Sequence, residues 1–158
     1  MAISRKPAAV AGLFGLAVAI AGWIIAPSEG NSPVGYADLA GVPTACLGHT
    51  GSGVVVGQRY SEAQCQAWFA SDVGAAARGV QACIHGPMTS YQWGAFTSTA
   101  FNIGVGQFCR SSIAAKANAG DMPGACAAIS LYVYAAGQPQ PGLIRRRAAE
   151  RALCEGHT

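Results

Sequence analysis

Only seven residues of this chain carry a carboxylate side chain: Glu29, Asp38, Glu62, Asp72, Asp121, Glu150 and Glu155. Five of them have local roles that need no chemistry. Glu62 opens a helix and Asp72 belongs to the polar face of the same helix. Asp121 caps another helix. Glu150 has Arg146 and Arg147 at i−4 and i−3 and can pair with them, and Glu155 lies near the C-terminus. Glu29 and Asp38 are left over, in glycine-rich, loop-like surroundings where an apolar segment meets a region of short strands.

Two carboxylates facing each other across a cleft can hydrolyse a glycosidic bond: a protonated one gives its proton to the leaving oxygen, and an ionised one holds water or stabilises an oxocarbenium-like transition state. A carboxyl against apolar helix surface is pushed toward its neutral form, and one among loop hydroxyls is not. On that logic Glu29 is the acid, and Asp38 orients the water with the hydroxyl of Thr44, six residues on. The competing reading makes Glu29 an ordinary interfacial carboxylate beyond a membrane helix and Asp38 a turn residue.

Other reactive side chains give weaker signals. Cys46-Leu47-Gly48-His49 has a metal-like spacing, with Cys65 and His85 further on, but structural zinc usually has tighter paired ligands. No one of the six cysteines stands out as a catalytic thiol. His49 either lines a cleft or fixes a β-turn by hydrogen bonds, the second being the commoner role.

The elements that must position these groups follow from pattern. Val34 to Gln58 is rich in Gly and Val, with Tyr36 and Asp38, then Val42, Thr44 and Cys46, fitting short strands. Ser61-Glu62-Ala63-Gln64 is a capping box, predicting a helix to about Arg78 that turns Trp68 and Phe69 inward. Pro87 begins a second helical stretch through Trp93, Phe96 and Ala100. Asn102-Ile103-Gly104-Val105-Gly106 reads as a turn. Asp121 caps a helix with Pro123 in its first turn, Gln138 to Gly142 is a loop, and Leu143 to Cys154 is a final helix. The fold class is α+β, mainly helical, with a small β-lobe at about 30–58 and a helical lobe at about 60–156.

Before the β-lobe, Pro7 to Pro27 is an uncharged run of 21 residues behind Arg5 and Lys6. It is long enough to span a bilayer, with the basic flank retained in the cytoplasm and the rest exported. Seven of the 21 are Ala and three are Gly, so insertion is weak. Ala19-Ile20-Ala21 resembles a signal-peptide cleavage site, so a cleaved signal, a permanent anchor and an uncleaved anchor that slowly leaves the membrane all compete. The third is favoured. All six cysteines, Cys46, Cys65, Cys83, Cys109, Cys126 and Cys154, follow this segment, as expected for disulfides in an oxidising compartment, with 15 connectivities open.

The net charge is +3, with Arg145, Arg146, Arg147 and Arg151 gathered near the C-terminus. A basic surface suits an anionic polymer such as a bacterial wall; a solvated helix face with its inner arginines paired to Glu150 explains the cluster equally well. A nucleic-acid binder is disfavoured, because aromatic and basic residues do not interleave.

The run from Glu29 to Thr44 resembles the active-site motif of glycoside hydrolase family 24, the phage lysozymes: Glu, eight residues, Asp or Cys, five residues, Thr. Tyr36, Gly41 and Gly48-His49-Thr50 match around it. Tyr60-Ser61-Glu62-Ala63-Gln64-Cys65, Asn102-Ile103-Gly104-Val105-Gly106-Gln107-Phe108 and the C-terminal Gly142-Leu143, Arg146-Arg147, Glu150 and Cys154 resemble further elements of the family, in the right order along essentially the whole chain. Departures at Ala45 and Leu47 do not touch the three motif residues.

The resemblance implies a lysozyme-like fold and hydrolysis, with inversion, of the β-1,4 bond between N-acetylmuramic acid and N-acetylglucosamine, so that the host bacterium is lysed. Glu29, Asp38 and Thr44 are the implied catalytic residues, Tyr36, His49 and Asn102 are candidates for the cleft, and no cofactor is needed. The implied disulfides are Cys46–Cys65, Cys83–Cys109 and Cys126–Cys154. The chain is most similar to signal-anchor-release endolysins of lambdoid phages. That implies a segment over residues 1–28, a muramidase domain over 29–158, tethering to the periplasmic face of the host inner membrane through residues 7–27, and later release as a monomer into the periplasm to meet peptidoglycan. The segment contains no cysteine, which points to release in which the extracted helix packs on the domain and carries Glu29 into the cleft. A lytic transglycosylase, or a non-catalytic wall-binding or lysis-regulating protein of the same fold, are the alternatives.

Overall fold

A computed structural model describes residues 7–157, so Arg5 and Lys6, the basic flank of the apolar run, and Thr158 lie outside the described residues. The apolar run forms α1, Pro7–Ile25, followed by one 3-10 turn, Ala26–Ser28. Three short strands come next: β1 Ser32–Ala37, β2 Pro43–Cys46 and β3 His49–Thr50, an antiparallel sheet in sequence order. The rest is mainly helical: α2 Glu62–Cys83, α3 Ser90–Ile103, α4 Val105–Cys109, α5 Ser112–Asn118, α6 Met122–Ala128 and α7 Pro141–Cys154. A small hairpin, β4 Tyr134–Ala135 with β5 Gln138–Pro139, sits between α6 and α7.

Local chemistry sets most of these boundaries. Ser61 accepts a hydrogen bond from the amide of Gln64 and starts α2, and Asp121 accepts one from Gly124 and starts α6. Thr89 and Gln92 form a full capping box, so α3 begins at Ser90, not at Pro87. α2 runs five residues past Arg78, because Val80 is buried in the core and holds the last turn in place. The Asn102–Gly106 segment is not an open turn: Gly104, at φ +89°, is a one-residue break that lets α3 end and α4 begin at once. The expected loop over Gln138–Gly142 contributes a strand to the small hairpin, and α7 starts at Pro141.

α3 is the centre of the helical lobe, with Trp93, Ala95, Phe96 and Ala100 almost fully buried. α1 lies along it and touches α2 and α7 less extensively. The approach is close: a Cβ on Gly94 would come within 2.6 Å of Ile20 Cγ2 and 3.3 Å of the Ala17 carbonyl oxygen. Ala17, Ala21, Ile24 and Ile25 are buried in this contact, and Phe14 meets Trp93 edge-on at 5.6 Å. Burying each isoleucine stabilises the docked helix by about 1.5–3 kcal/mol. The opposite face, Gly12, Gly15, Leu16, Ala19 and Trp23, is exposed. α1 has no polar side chain, so its outward stripe is apolar too. Glycine and alanine keep that stripe small, which limits the cost of leaving it in water.

Disulfides join Cys46 to Cys65, Cys83 to Cys109 and Cys126 to Cys154. The first ties the β-lobe to α2, and the others tie α2 to α4 and α6 to α7. Cys46 and Cys65 are therefore not free thiolates, which removes the metal-ligand reading of Cys46, His49 and Cys65.

Candidate active site

Glu29 follows the 3-10 turn in extended conformation, at the point where the chain leaves the helical lobe for β1. Its Oε1 accepts a hydrogen bond from Arg146 Nη1 at 2.8 Å. Its Oε2 faces the β2–β3 turn, where a Cβ on Gly48 would stand 3.6 Å away. That spacing is ordinary contact; Gly48 is needed for its φ of +79°. Glu29 thus sits between the two lobes, 23% exposed at its side chain, which leaves room for a ligand to reach it.

Asp38 directly follows β1 and shapes the β1–β2 turn. Its Oδ1 accepts from the amides of Ala40 and Val42, both at 2.8 Å. Oδ2 takes no hydrogen bond among the described residues. Thr44, in the middle of the sheet between Tyr36 and Thr50, is 5% exposed. Its hydroxyl donates to the Val42 carbonyl at 3.0 Å, and the Asp38 amide donates to the same oxygen, also at 3.0 Å. One peptide unit therefore fixes Asp38 and Thr44 relative to each other. With its proton committed, the Thr44 oxygen is left as an acceptor, like Asp38 Oδ2.

Tyr36 pairs with Thr44 across the sheet and is exposed. Asn102, in the last turn of α3, accepts from Arg147 Nη2 at 3.0 Å. His49 bridges the lobes: Nδ1 lies 2.7 Å from Asp72 Oδ2, and the ring stacks on Trp68 with centroids 4.3 Å apart. Asp72, read from the sequence as part of a polar helix face, is in fact the partner of His49. Trp68 and Phe69 are both half-buried.

The arginine cluster differs most from the sequence reading. Arg146 and Arg147 are not surface groups; they are 6% and 1% exposed, and Glu150 is 0% exposed. Glu150 accepts from Ser98 and Thr99 hydroxyls at 2.5 and 2.9 Å and from Arg146 Nε at 3.1 Å, and Arg147 Nε lies 2.8 Å from its Oε2. Burial pushes the Arg147 guanidinium below its ordinary pKa; Glu150 opposes this and Arg146 adds to it. Two buried arginines face one buried glutamate, and Glu29 is the second carboxyl that reaches them, so its neighbour is the Arg146 guanidinium and not the apolar helix surface expected from the sequence. Spacing alone paired both arginines with Glu150. The surplus of one cation was the available signal that Arg146 needs a second carboxylate.

Two grooves meet here, sharing Asn102 and Leu143. One, of about 560 Å³, also takes in Gln107, Tyr132 and Tyr134. The other, of about 740 Å³, contains Glu29 and runs between the end of α1 and α7. The arrangement offers one carboxyl from the helical side and a carboxylate–hydroxyl pair from the β-lobe, which is the equipment for acid- and base-assisted hydrolysis.

Residues 26–150 match the phage lysozyme family model. The chain is 36% identical over 157 residues to a SAR-endolysin of Enterobacteria phage P21, covering 96% of this chain and 95% of that one. Its fold is similar to the active form of the phage P1 endolysin Lyz, with a TM-score of 0.76 and 31% identity over 86% of this chain and 83% of that one. Against the secreted inactive form of the same endolysin the TM-score is 0.53, with 30% identity over 67% of this chain and 76% of that one. The family match, the full-length likeness and the fold together establish that the chain belongs to the phage lysozyme family and is an enzyme that lyses peptidoglycan.

Proposed function

We propose that the chain is a signal-anchor-release endolysin that hydrolyses the β-1,4 bond between N-acetylmuramic acid and N-acetylglucosamine. The observation that carries the reading is the position of Glu29 at the junction of the lobes, bonded to Arg146, with Asp38 and Thr44 tied to each other through Val42 in the β-lobe. Protonated Glu29 gives its proton to the leaving glycosidic oxygen. A water donates one hydrogen bond to Thr44 Oγ1 and the other to Asp38 Oδ2, attacks the anomeric carbon from the opposite face, and loses a proton to Asp38. Glu29 emerges as a carboxylate, and Arg146 pairs with it until solvent restores the proton. Tyr36 and Asn102 flank the glycan, and His49 holds the β-lobe to α2.

Residues 1–28 form the anchor and 29–158 the muramidase domain. Among the described residues α1 is the one helix long and apolar enough to cross a membrane. Its two environments fit its composition: in the bilayer every face is apolar, and once extracted the face around Ala17 and Ala21 buries on α3. In the membrane-held state Glu29, four residues past Ile25, stays with the bilayer and the buried cluster lacks its second carboxyl. Docking of α1 brings the Glu29 carboxyl to Arg146 and into the junction of the lobes. The greater likeness to an active than to an inactive endolysin structure supports the docked state as the working one. The host exports the chain to the periplasmic face of its inner membrane, and release frees it as a monomer.

The test is mass spectrometry of muropeptides released from isolated Gram-negative peptidoglycan by the released protein and by Glu29→Gln. New reducing N-acetylmuramic ends, reduced roughly 10²–10⁴-fold in the variant, are expected. Anhydro ends would indicate a transglycosylase, and the absence of products from folded, oxidised protein would leave a non-catalytic role.

A further inference from the structure

We infer that α4 is a mounted wall of the substrate groove, and that the Cys83–Cys109 disulfide and the notch at Gly79 are positioning elements that set substrate affinity from outside the reacting centre. This deepens the proposed function and rests on a glycan being the substrate. α4, Val105–Cys109, is five residues long and has no side-chain cap at its start. A helix that short does not hold itself together in water. It leaves α3 through Gly104 at φ +89°, where no neighbour braces the backbone within 4 Å of a Cβ position. The orientation of α4 is therefore set by what it is tied to.

Three contacts tie it. Val105 lies on α2 where Gly79 has no side chain: a Cβ there would come within 2.5 Å of Val105 Cγ1 and 3.2 Å of Val105 Cβ, so turning the valine does not clear it. Four residues on, Cys109 is bonded to Cys83 at the end of α2, with Cα atoms 5.3 Å apart. Phe108, 0% exposed, packs on Phe96 of α3 with ring centroids 5.8 Å apart. In a helix, residues i and i+4 share a face and i+2 lies opposite. Val105 and Cys109 thus turn one face of α4 to α2. Gln107, exposed, turns the other to the groove of about 560 Å³, which it lines with Asn102, Tyr132 and Tyr134. That groove meets the one holding Glu29 at Asn102. The α2 ties and the groove wall are opposite sides of one short rigid element, so slack in the ties shifts the wall. Phe108 by itself fixes one point of α4, which leaves a rotation about Gly104. Glu29, Asp38 and Thr44 stand on other elements. The ties of α4 therefore govern how tightly the glycan is held and leave the chemical step alone.

The experiment uses soluble, uncrosslinked glycan strands of alternating N-acetylglucosamine and N-acetylmuramic acid. Binding is measured by calorimetry on the released, oxidised protein carrying Glu29→Gln, and turnover is measured with Glu29 intact. Two variants loosen α4: Cys83→Ala with Cys109→Ala, and Gly79→Ala. Melting confirms that each is folded at the assay temperature. Each should weaken strand binding and raise KM about fivefold, with kcat within about twofold of wild type. Val105→Ala added to Gly79→Ala reopens the notch and should restore affinity. Asp121→Ala, which removes the α6 cap, is the control: it should lower melting and leave strand binding unchanged. Unchanged affinity in both α4 variants, an equal loss in Asp121→Ala, or a fall in kcat with KM unmoved would overturn the positioning role. Binding that responds to the α4 variants, in a protein that cuts no strand with Glu29 intact, would instead overturn the proposed hydrolysis and leave the positioning role standing; hydrolysis with binding indifferent to α4 would do the reverse.

Discussion

Arg146 Nη1 donates to Glu29 Oε1 at 2.8 Å across 117 residues of sequence, and the same guanidinium donates through Nε to Glu150 and through Nη2 to the Ser98 carbonyl. A single side chain therefore couples the acid at the lobe junction to the buried ion cluster of α3 and α7. Removing it strands Glu150 with one cationic partner and frees Glu29 to rotate. Arg146→Ala is expected to lower stability by about 3–5 kcal/mol, the usual cost of breaking a buried pair from one side, and to lower kcat. Denaturant unfolding and muropeptide release measure the two. Stability and kcat both within error of wild type would show that the cluster does not depend on Arg146.

The Val42 peptide unit holds Asp38 and Thr44 through separate hydrogen bonds, so their structural and chemical contributions can be separated. Asp38→Asn keeps an oxygen acceptor for the Ala40 and Val42 amides and loses the base. Activity should fall roughly 10²-fold or more, with melting little changed. Asp38→Ala should lose the activity and also destabilise the turn, by about 1–3 kcal/mol for amides left unpaired. If Asp38→Asn retains most of the activity, Asp38 does not activate the water.

Attack by water held on the β-lobe side, opposite the acid, inverts the anomeric centre. Proton NMR during the first minutes of hydrolysis should show the α-anomer of the new reducing end appearing first. First appearance of the β-anomer would mean that a covalent intermediate forms and that Asp38 has another role.

Docking of α1 depends on the missing side chain at Gly94, which lies against Ile20 and the Ala17 carbonyl. Gly94→Val places carbon where Ile20 Cγ2 now sits, and overpacking of this kind costs about 1–3 kcal/mol. The helix should dock poorly, and Glu29 with it. The released variant is expected to show faster proteolysis within residues 11–25 and at least tenfold lower activity, while the Cys46–Cys65 and Cys126–Cys154 disulfides still form. Unaltered proteolysis and activity would show that α1 docking does not position the acid.

The sequence alone determined the features that rest on neighbouring residues. The Glu29, Asp38 and Thr44 spacing, the Ser61 and Asp121 caps, the β-lobe ahead of a helical lobe and the length of the apolar run are all short-range, because turns, caps and periodicities are set by residues a few positions apart. Helix ends were legible to within a few residues, except where burial extended α2 or a single positive-φ glycine replaced a turn. Tertiary structure decided what spacing cannot encode. Asp72 looked solvated until β3 brought His49 to it, and the basic C-terminal cluster looked like surface until α7 packed on α3 and buried two of its arginines. The place of α1 was open for a related reason: a helix apolar on every face suits a bilayer and a protein interior equally. Only the close contact of Ile20 with Gly94, and the ion pair that Glu29 then completes with Arg146, set the docked helix in the fold.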